Sequence, residues 1–304
     1  MVRSVSPRRH GSALHDKLED LYEHFNDAHA VSDPIQIVRR YVRDDDREIV
    51  GFCAAALAFG RVQSVLNSIA GLLREMGDAP ASYVRSFDPA KDRRSLDHVG
   101  HRWIRGIDLA ALMWLLRQML ESHGSLEAFF AAGVESDAET VEGGLESFSR
   151  RACSLDMKAV YRQSSPRPGV SYFFARPSSG GACKRLNLFL RWMVRCDRVD
   201  LGVWHRVRPA QLIVPLDTHV IRLGRCLRLT RYRSAGWRMA ADITRSLRAL
   251  NPDDPVRFDF SLCHVGMMGA CGYGTKQRDS QCPLRGLCRP TAAHVRPIKI
   301  VKIS

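Results

Sequence analysis

The sequence has no apolar run long enough to cross a bilayer, and no alternating apolar and polar pattern of strand length. The first absence argues against a membrane-spanning protein, and the second argues against a sheet. Acidic residues are also in deficit, with 32 Asp and Glu against 46 Lys and Arg, which gives a formal net charge of +14. An excess of this size favours a nucleic acid as partner, because each phosphate contact releases counterions. An anionic membrane surface is the rival, but the basic residues are not gathered into one juxtamembrane block.

The N-terminal segment lacks the apolar core of a signal peptide. We therefore expect residues 1–29 to form a disordered basic lead, residues 291–304 to form a basic tail, and the protein to be cytoplasmic. The nine cysteines are an odd number, and most of them stand singly within apolar segments. In a reducing compartment such cysteines are more often buried thiols than disulfides.

Helical spacing of apolar residues runs through most of the chain and predicts an all-α protein of roughly ten helices. Three acids, Asp44 to Asp46, precede a long apolar run, as suits the positive end of a buried helix. Further on, Asp254 and Pro255 are expected to begin a helix through Met268. The best strand candidate is brief, at 170–174, and 164–181 is expected to be a loop.

Asp217 stands where the apolar run Val214-Pro215-Leu216 gives way to a helical pattern with arginines. One interpretation is an ordinary helix N-cap. The other is catalytic, since a carboxylate that the helix dipole holds as an anion can stabilise a cationic transition state. The arginines that follow are either a solvated helix face or a phosphate-binding edge.

A second candidate is Lys184, which follows Gly180-Gly181 at the start of an amphipathic pattern. Free backbone N–H groups after such a turn can hold a phosphate. The dipole disfavours a cation in the first helical turn, which would make the amine a better nucleophile. The alternative is an ordinary surface lysine of a basic protein.

A third candidate is a group of three cysteines near the end of the chain, Cys271, Cys282 and Cys288. Their closeness suggests an iron–sulfur or zinc site. Zinc would need a fourth ligand, such as Cys263 or His264. Free thiols are the alternative.

In this order, the three features resemble the helix-hairpin-helix DNA glycosylase superfamily. The segment 216–222, Leu-Asp-Thr-His-Val-Ile-Arg, resembles the motif of its catalytic aspartate, and 180–184 resembles the hairpin that ends in the lysine of bifunctional members. The segment 265–271 with Cys282 and Cys288 resembles the cluster loop of endonuclease III and adenine glycosylases. More narrowly, 46–52, 184–195 and 215–220 resemble a bacterial family of unassigned function that is related to endonuclease III-like and archaeal 8-oxoguanine glycosylases.

The resemblance implies two interleaved helical subdomains with a cleft between them. The central subdomain would span 47–195 and end in the hairpin. The terminal subdomain would combine 30–46 with 196–290 and carry the aspartate and the cysteine loop.

The resemblance also implies roles for individual residues. Lys184 and Asp217 would be catalytic. The residues expected to bind DNA are Gly180, Gly181, Arg185, Thr218, His219, Arg222 and Arg225. The residues expected near the base pocket are Phe59, Gly60, Arg61, His101, Arg102 and Trp103, because the buried helix ends at the first three.

The sequence departs from the superfamily pattern at three places. The usual Leu-Pro-Gly-x-Gly hairpin is not present in standard form. Lys184 and Asp217 are 33 positions apart, with the extra length in 195–211, where archaeal 8-oxoguanine glycosylases are also enlarged. Asp279 stands where the second cluster cysteine is expected. Either Asp279 ligates iron, or Cys263 supplies the fourth thiolate, or the [4Fe–4S] cluster is absent; absence ranks slightly first, since a hard carboxylate is an uncommon ligand for such clusters.

The resulting expectation is a monomeric, nucleoid-associated DNA glycosylase with AP-lyase activity that removes a damaged or modified base flipped out of duplex DNA. Its chemistry would require no cofactor. Two alternatives stay open: a non-catalytic protein that binds DNA structures, and an enzyme that acts on modified bases or nucleosides. Fold kinship alone does not decide between them.

Overall fold

The computed structural model describes residues 7–26, 33–162, 166–268 and 282–288. Within these ranges the chain forms α-helices, short 3-10 turns and two isolated β-bridges, and no strand, so the predicted all-α class is confirmed. The helices are α1 (Pro7–Phe25), α2 (Ile35–Val38), α3 (Asp44–Leu57), α4 (Val62–Met76), α5 (Pro80–Ser86), α6 (Pro89–Asp92), α7 (Gly106–His123), α8 (Leu126–Ala131), α9 (Glu142–Ser154), α10 (Lys158–Tyr161), α11 (Pro168–Phe173), α12 (Lys184–Val194), α13 (Thr218–Cys226), α14 (Trp237–Arg248) and α15 (Asp259–Met267). In the part of the chain that is described, no helix has the length and apolarity needed to cross a membrane.

Helix α3 lies at the centre of the core, as its apolar sequence predicts. The acids of its first turn face the positive end of the helix dipole, and one of them, Asp46, is buried and accepts the Ala81 backbone N–H at 2.8 Å. Gly51 allows α12 to approach closely, since a Cβ there would lie 2.8 Å from Cε of Met193. Glu48, also buried, accepts the backbone N–H groups of Leu126 and Glu127 and so holds the start of α8.

The N-terminal segment corrects one expectation. Residues 7–25 form helix α1 and are not a disordered lead. Its buried residues recur at helical spacing: Leu14, Leu18, Leu21, Tyr22 and Phe25. They pack against α15, and Arg257 adds an ion pair to Glu19 at 3.0 Å. Basic residues at the start of the chain stand beside this apolar periodicity, which is the local signal for the helix.

Two local predictions were also wrong. Residues 170–174 do not form a strand. The short helix α11 begins at Pro168 and contains most of them, because the fixed φ of proline suits a first helical turn. Helix α15 begins at Asp259, later than predicted, and Asp254 does not cap it. The Asp254 carboxylate instead accepts a hydrogen bond from Nε of Arg195 at 2.9 Å.

Two sets of helices meet at one place. Helix α15 packs against α13 and α1, whereas α3 packs against α12, α2, α4 and α5. The start of α12, the start of α13 and one face of α15 come together beside the turn between α3 and α4. A cavity lies at this junction.

A candidate active-site cleft

The cavity has a volume of about 190 Å³ and is lined by residues from distant parts of the chain. Lys184 and Asp217 both line it, so the structure brings together the two residues that the sequence singled out. The other lining residues are Asp33, Pro34, Ala58, Gly60, Val62, Val65, Leu188, Arg191, Pro215, Asp259, Phe260, Cys263, His264 and Met267. The walls are mostly apolar, and charged groups are confined to a few positions.

Asp217 is the N-cap of α13, as its sequence context predicted. Its Oδ1 accepts the backbone N–H groups of His219 at 2.9 Å and Val220 at 2.7 Å. This leaves Oδ2 to face other groups in the cavity. Capping fixes the rotamer of the carboxylate, so Oδ2 is held toward the cavity by the same side chain that begins α13.

The partner of Oδ2 is Cys263 of α15, whose Sγ donates a hydrogen bond to it at 3.1 Å. Burial and the Asp217 carboxylate together raise the pKa of this thiol. The thiol therefore stays protonated and acts as a donor. From the sequence, Cys263 was expected only as a metal ligand. Its i, i+4 neighbour Met267, whose Sδ lies 4.0 Å from Sγ of Cys263, belongs to the same face of α15.

Lys184 is the first residue of α12, and the chain reaches it through a constrained turn. Gly180 and Cys183 both have left-handed backbone, with φ of 79° and 48°. The side chain is partly buried at the cavity wall, and its charge acts on the thiol of Cys263, lowering the pKa of that group. Among the described residues no ion pair joins Lys184 to Asp217, although both line the cavity. A ligand in the cavity can therefore lie between the amine and the carboxylate.

The inner wall carries a buried ion pair. Nη1 of Arg191 lies 2.7 Å from Oδ2 of Asp259, and both side chains are almost completely buried. Burial raises the pKa of Asp259 to about 6, although Arg191 opposes the shift, and the nearby Asp217 adds to it. Arg191 also bonds Asp200, which links the cavity to a second arginine, Arg195.

The six residues predicted near the base pocket belong to two segments, 59–61 and 101–103, that contact each other. Rings of Phe59 and His101 have centroids 4.5 Å apart, and those of Phe59 and Trp103 are 4.9 Å apart. His101 contacts the carbonyl of Phe59 through Nε2 at 2.6 Å. Of the six, Gly60 lines the cavity itself; Arg61 lines a neighbouring depression.

The cluster also contains groups whose role the sequence did not indicate. Tyr172 packs edge-on against Trp103 and Phe59, with centroids 5.1 and 5.0 Å apart. Trp103 is 51% exposed, which is high for an indole ring. Arg102 passes so close to Gly60 that a Cβ there would lie 2.7 Å from its Nε.

Two backbone carbonyls hold the guanidinium of Arg185. Its nitrogens bond the carbonyls of Ala56 and Tyr172, and the group lies over the Tyr172 ring at 3.4 Å. Burial lowers its pKa to about 10. These contacts make Arg185 a link between α12 and the aromatic cluster, and its expected DNA contact stays a prediction.

The other residues predicted to bind DNA fall into two classes. Gly180, Gly181 and Thr218 are exposed, and a Cβ at either glycine would meet nothing within 4 Å. Three side chains are partly buried: His219, Arg222 and Arg225. Of these, His219 packs against Gly266, and Arg225 donates to the carbonyl of Arg233. Of the exposed residues, Gly180 already uses its backbone: its N–H donates to the carbonyl of Pro177, and its carbonyl accepts from the N–H of Trp237.

Part of the predicted cluster loop lies outside the described residues, namely Cys271 and Asp279. Cys282 is buried and Cys288 is partly buried. In the described ranges no three His, Cys, Asp or Glu residues are grouped so that they could hold a metal ion. The Cys263 thiol donates to Asp217 in this arrangement, and its place as a fourth ligand stays a prediction.

Residues 33–268 match a family model described as "Protein of unknown function (DUF2400)". The chain belongs to the DUF2400 family. The matched range contains every residue that lines the cavity, and it excludes α1 together with Cys282 and Cys288. This DUF2400 protein matches no curated protein and no solved structure.

Proposed function

We propose that this protein is a DNA glycosylase with AP-lyase activity, which removes a damaged or modified base from DNA. The observation that carries the proposal is the shared cavity of Lys184 and Asp217. An amine and a rigidly held carboxylate in one cleft are the groups that attack at a sugar carbon requires. Their sequence motifs resemble those of the helix-hairpin-helix glycosylases, whose interleaved subdomains would account for the two sets of helices.

The chemistry follows from the two side chains. The lone pair of the Lys184 amine forms a bond to the anomeric carbon of a flipped nucleotide, and the electron pair of the glycosidic bond leaves with the base. Asp217 stabilises the positive charge that develops on the sugar. The attached nitrogen then loses its protons as the C1′–O4′ bond breaks and O4′ is protonated, which opens the sugar ring and leaves an imine on Lys184. Loss of a proton from C2′ expels the 3′ phosphate with the electron pair of the C3′–O bond, which cleaves the strand.

Asp217 is positioned for this role by three hydrogen bonds. Two backbone N–H groups of α13 and the thiol of Cys263 hold its oxygens in place. A carboxylate fixed in this way loses little reorganisation energy when charge appears next to it. Cys263 is thus a positioning residue for Asp217.

DNA is the partner that the charge and the surface favour. The net charge of +14 suits a polyanion, and the exposed Gly181 stands three residues before Lys184 of the cavity. The exposed indole of Trp103 is a surface on which a base can stack. We further propose that the protein acts as a monomer in the cytoplasm, on the nucleoid.

No cofactor is needed for this chemistry. The superfamily's iron–sulfur cluster would use Cys271, Cys282 and Cys288, with Asp279 or Cys263 as the fourth ligand; in this structure the Cys263 thiol donates to Asp217. Three thiolates and a carboxylate are an unusual donor set for such a cluster. A cluster bound there would be structural and would help to hold the loop that follows α15.

The test is base release from duplex oligonucleotides that each carry one lesion. We expect release by the wild type with at least one lesion, and its loss in Lys184→Gln. The control is Lys158→Gln, which removes an exposed lysine that does not line the cavity. Retention of release by Lys184→Gln would contradict the proposal. Binding of DNA without release from any lesion would favour the non-catalytic alternative.

A further inference from the structure

The ion pair on the inner wall of the cavity is incompletely satisfied. Arg191 and Asp259 use Nη1 and Oδ2 for their mutual contact. Within the part of the chain that the structure describes, Nη2 of Arg191 and Oδ1 of Asp259 have no hydrogen-bond partner. Buried donors and acceptors are almost always paired, and an unpaired one costs free energy. Two such atoms on one ion pair therefore need a separate explanation.

The two unpaired atoms belong to the two groups that form the ion pair. Nη2 shares its carbon with Nη1, and Oδ1 shares its carbon with Oδ2, so each lies one carbon away from an atom of the 2.7 Å contact. The ion pair thus holds one donor and one acceptor that no described group uses. Both residues line the cavity that contains Lys184 and Asp217, with side chains only 3% and 4% exposed.

The rest of the ion-pair network is held elsewhere. Nε of Arg191 bonds Asp200 at 3.2 Å, and Arg195 bonds Asp200 and Asp254 on the side away from the cavity. Arg191 is therefore fixed by partners that a ligand does not reach. A rigid donor and acceptor pair in a mostly apolar cavity is the arrangement that gives orientation and specificity to a small planar ligand.

We propose that Arg191 and Asp259 read the edge of the extruded nucleobase, taking a base that presents a hydrogen-bond acceptor next to an N–H donor. Nη2 of Arg191 donates to the acceptor, and Oδ1 of Asp259 accepts from the N–H group. The inference rests on the proposed function, since it names the group that occupies the cavity during excision. Lactam edges, as in hypoxanthine, and amidine edges, as in adenine, both present this pair.

The test measures equilibrium binding of free bases to the full-length protein, alone and with duplex DNA that carries a tetrahydrofuran abasic analogue. The probes are hypoxanthine and 1-methylhypoxanthine, which keeps the carbonyl and loses the N–H donor. Adenine and N6,N6-dimethyladenine form the second pair, and the comparison shows which type of edge is preferred. We expect at least one unmethylated base to bind about tenfold more tightly than its methylated counterpart.

Two variants link any preference to the ion pair. Asp259→Asn keeps an oxygen for Arg191 but puts an amide donor where the acceptor was, so the preference should disappear. Asp254→Asn perturbs the same network outside the cavity, and the preference should persist. Circular dichroism confirms that each variant is folded. If Asp259→Asn does not fold, the two ligand pairs on the wild type decide the question.

Equal affinity for methylated and unmethylated bases, absence of base binding, or a preference that survives in folded Asp259→Asn would overturn the inference. Borohydride trapping on abasic DNA separates this outcome from failure of the proposed function, because that reaction involves no base. Trapping without an edge preference removes the inference alone. An edge preference without trapping leaves a base-binding cavity and removes the glycosylase proposal.

Discussion

The thiol of Cys263 donates to Oδ2 of Asp217 at 3.1 Å, while Oδ1 of the same carboxylate caps helix α13. One side chain thereby joins the start of α13 to the middle of α15. The carboxylate that faces the cavity is held from both sides. The separate contributions of these contacts to stability and to chemistry can be measured.

Asp217→Asn should separate the cap from the chemistry. Asparagine caps helices about as well as aspartate, so we expect the free energy of unfolding to change by less than ~1 kcal/mol. Removal of the negative charge should lower the rate of base release by about a hundredfold or more. Denaturant unfolding and single-turnover release measure the two effects. A large loss of stability with unchanged release per folded molecule would show that Asp217 is only a cap.

Cys263→Ala and Cys263→Ser test the hydrogen bond to Asp217. Alanine removes the donor, and we expect the rate of borohydride trapping on abasic DNA to fall about tenfold, since a hydrogen bond to a charged group is lost. Serine keeps a donor at the same position and should restore most of the rate. Equal rates for all three proteins would contradict a positioning role.

Asp259→Asn should change how stability depends on pH. The pKa of Asp259 is raised from 3.8 to about 6 by burial, so the folded state holds this proton more tightly than the unfolded state does. The corresponding stability is present at low pH and is lost as the pH rises from 3.8 to about 6. Asparagine does not titrate. The free energy of unfolding of the variant should therefore rise relative to that of the wild type, by an amount on the order of 3 kcal/mol, as the pH is raised from about 4 to about 7.5.

Thermal unfolding of wild type and Asp259→Asn at several pH values in that range checks this prediction. The matched control is Asp20→Asn, which changes an exposed carboxylate of α1. A constant difference in melting temperature between wild type and Asp259→Asn at all pH values would contradict the assignment.

Leu18→Ala tests whether α1 is an integral helix. Leu18 is fully buried, so we expect a loss of about 2–5 kcal/mol in the free energy of unfolding. The exposed ion pair of Lys17 and Asp20 offers the control, because Asp20→Ala should cost little. Chemical denaturation measures both. Similar stability of Leu18→Ala and the wild type would mean that α1 does not pack on α15 in solution.

Local sequence signals predicted the features that depend on neighbouring residues. The acids in the first turn of α3 and the N-cap at Asp217 follow from helix-end physics, and the helical spacing of apolar residues predicted the all-α class. Apolar residues also recur at helical spacing in α1, but the basic residues around them led to the prediction of a disordered segment. Pro168 was sufficient to predict a helix start at α11, where β-branched and aromatic residues suggested a strand.

Long-range contacts could not be predicted in this way. Cys263 meets Asp217 across 46 positions, and Arg191 meets Asp259 across 68. Neither pair has a local pattern, because the contacts depend on how α12, α13 and α15 pack. Lys184 and Asp217 were found through motifs that resemble a known superfamily, and the structure then placed both at the same cavity.

The most direct test of the central claim is identification of the lysine that forms a covalent adduct with DNA. Wild-type protein is incubated with abasic duplex DNA and borohydride, and the adduct is digested and mapped by mass spectrometry. The shared cavity predicts an adduct on Lys184, and its loss in Lys184→Gln. An adduct on another lysine, or no adduct under conditions in which the protein binds the DNA, would contradict the assignment of Lys184 and Asp217 as the catalytic pair.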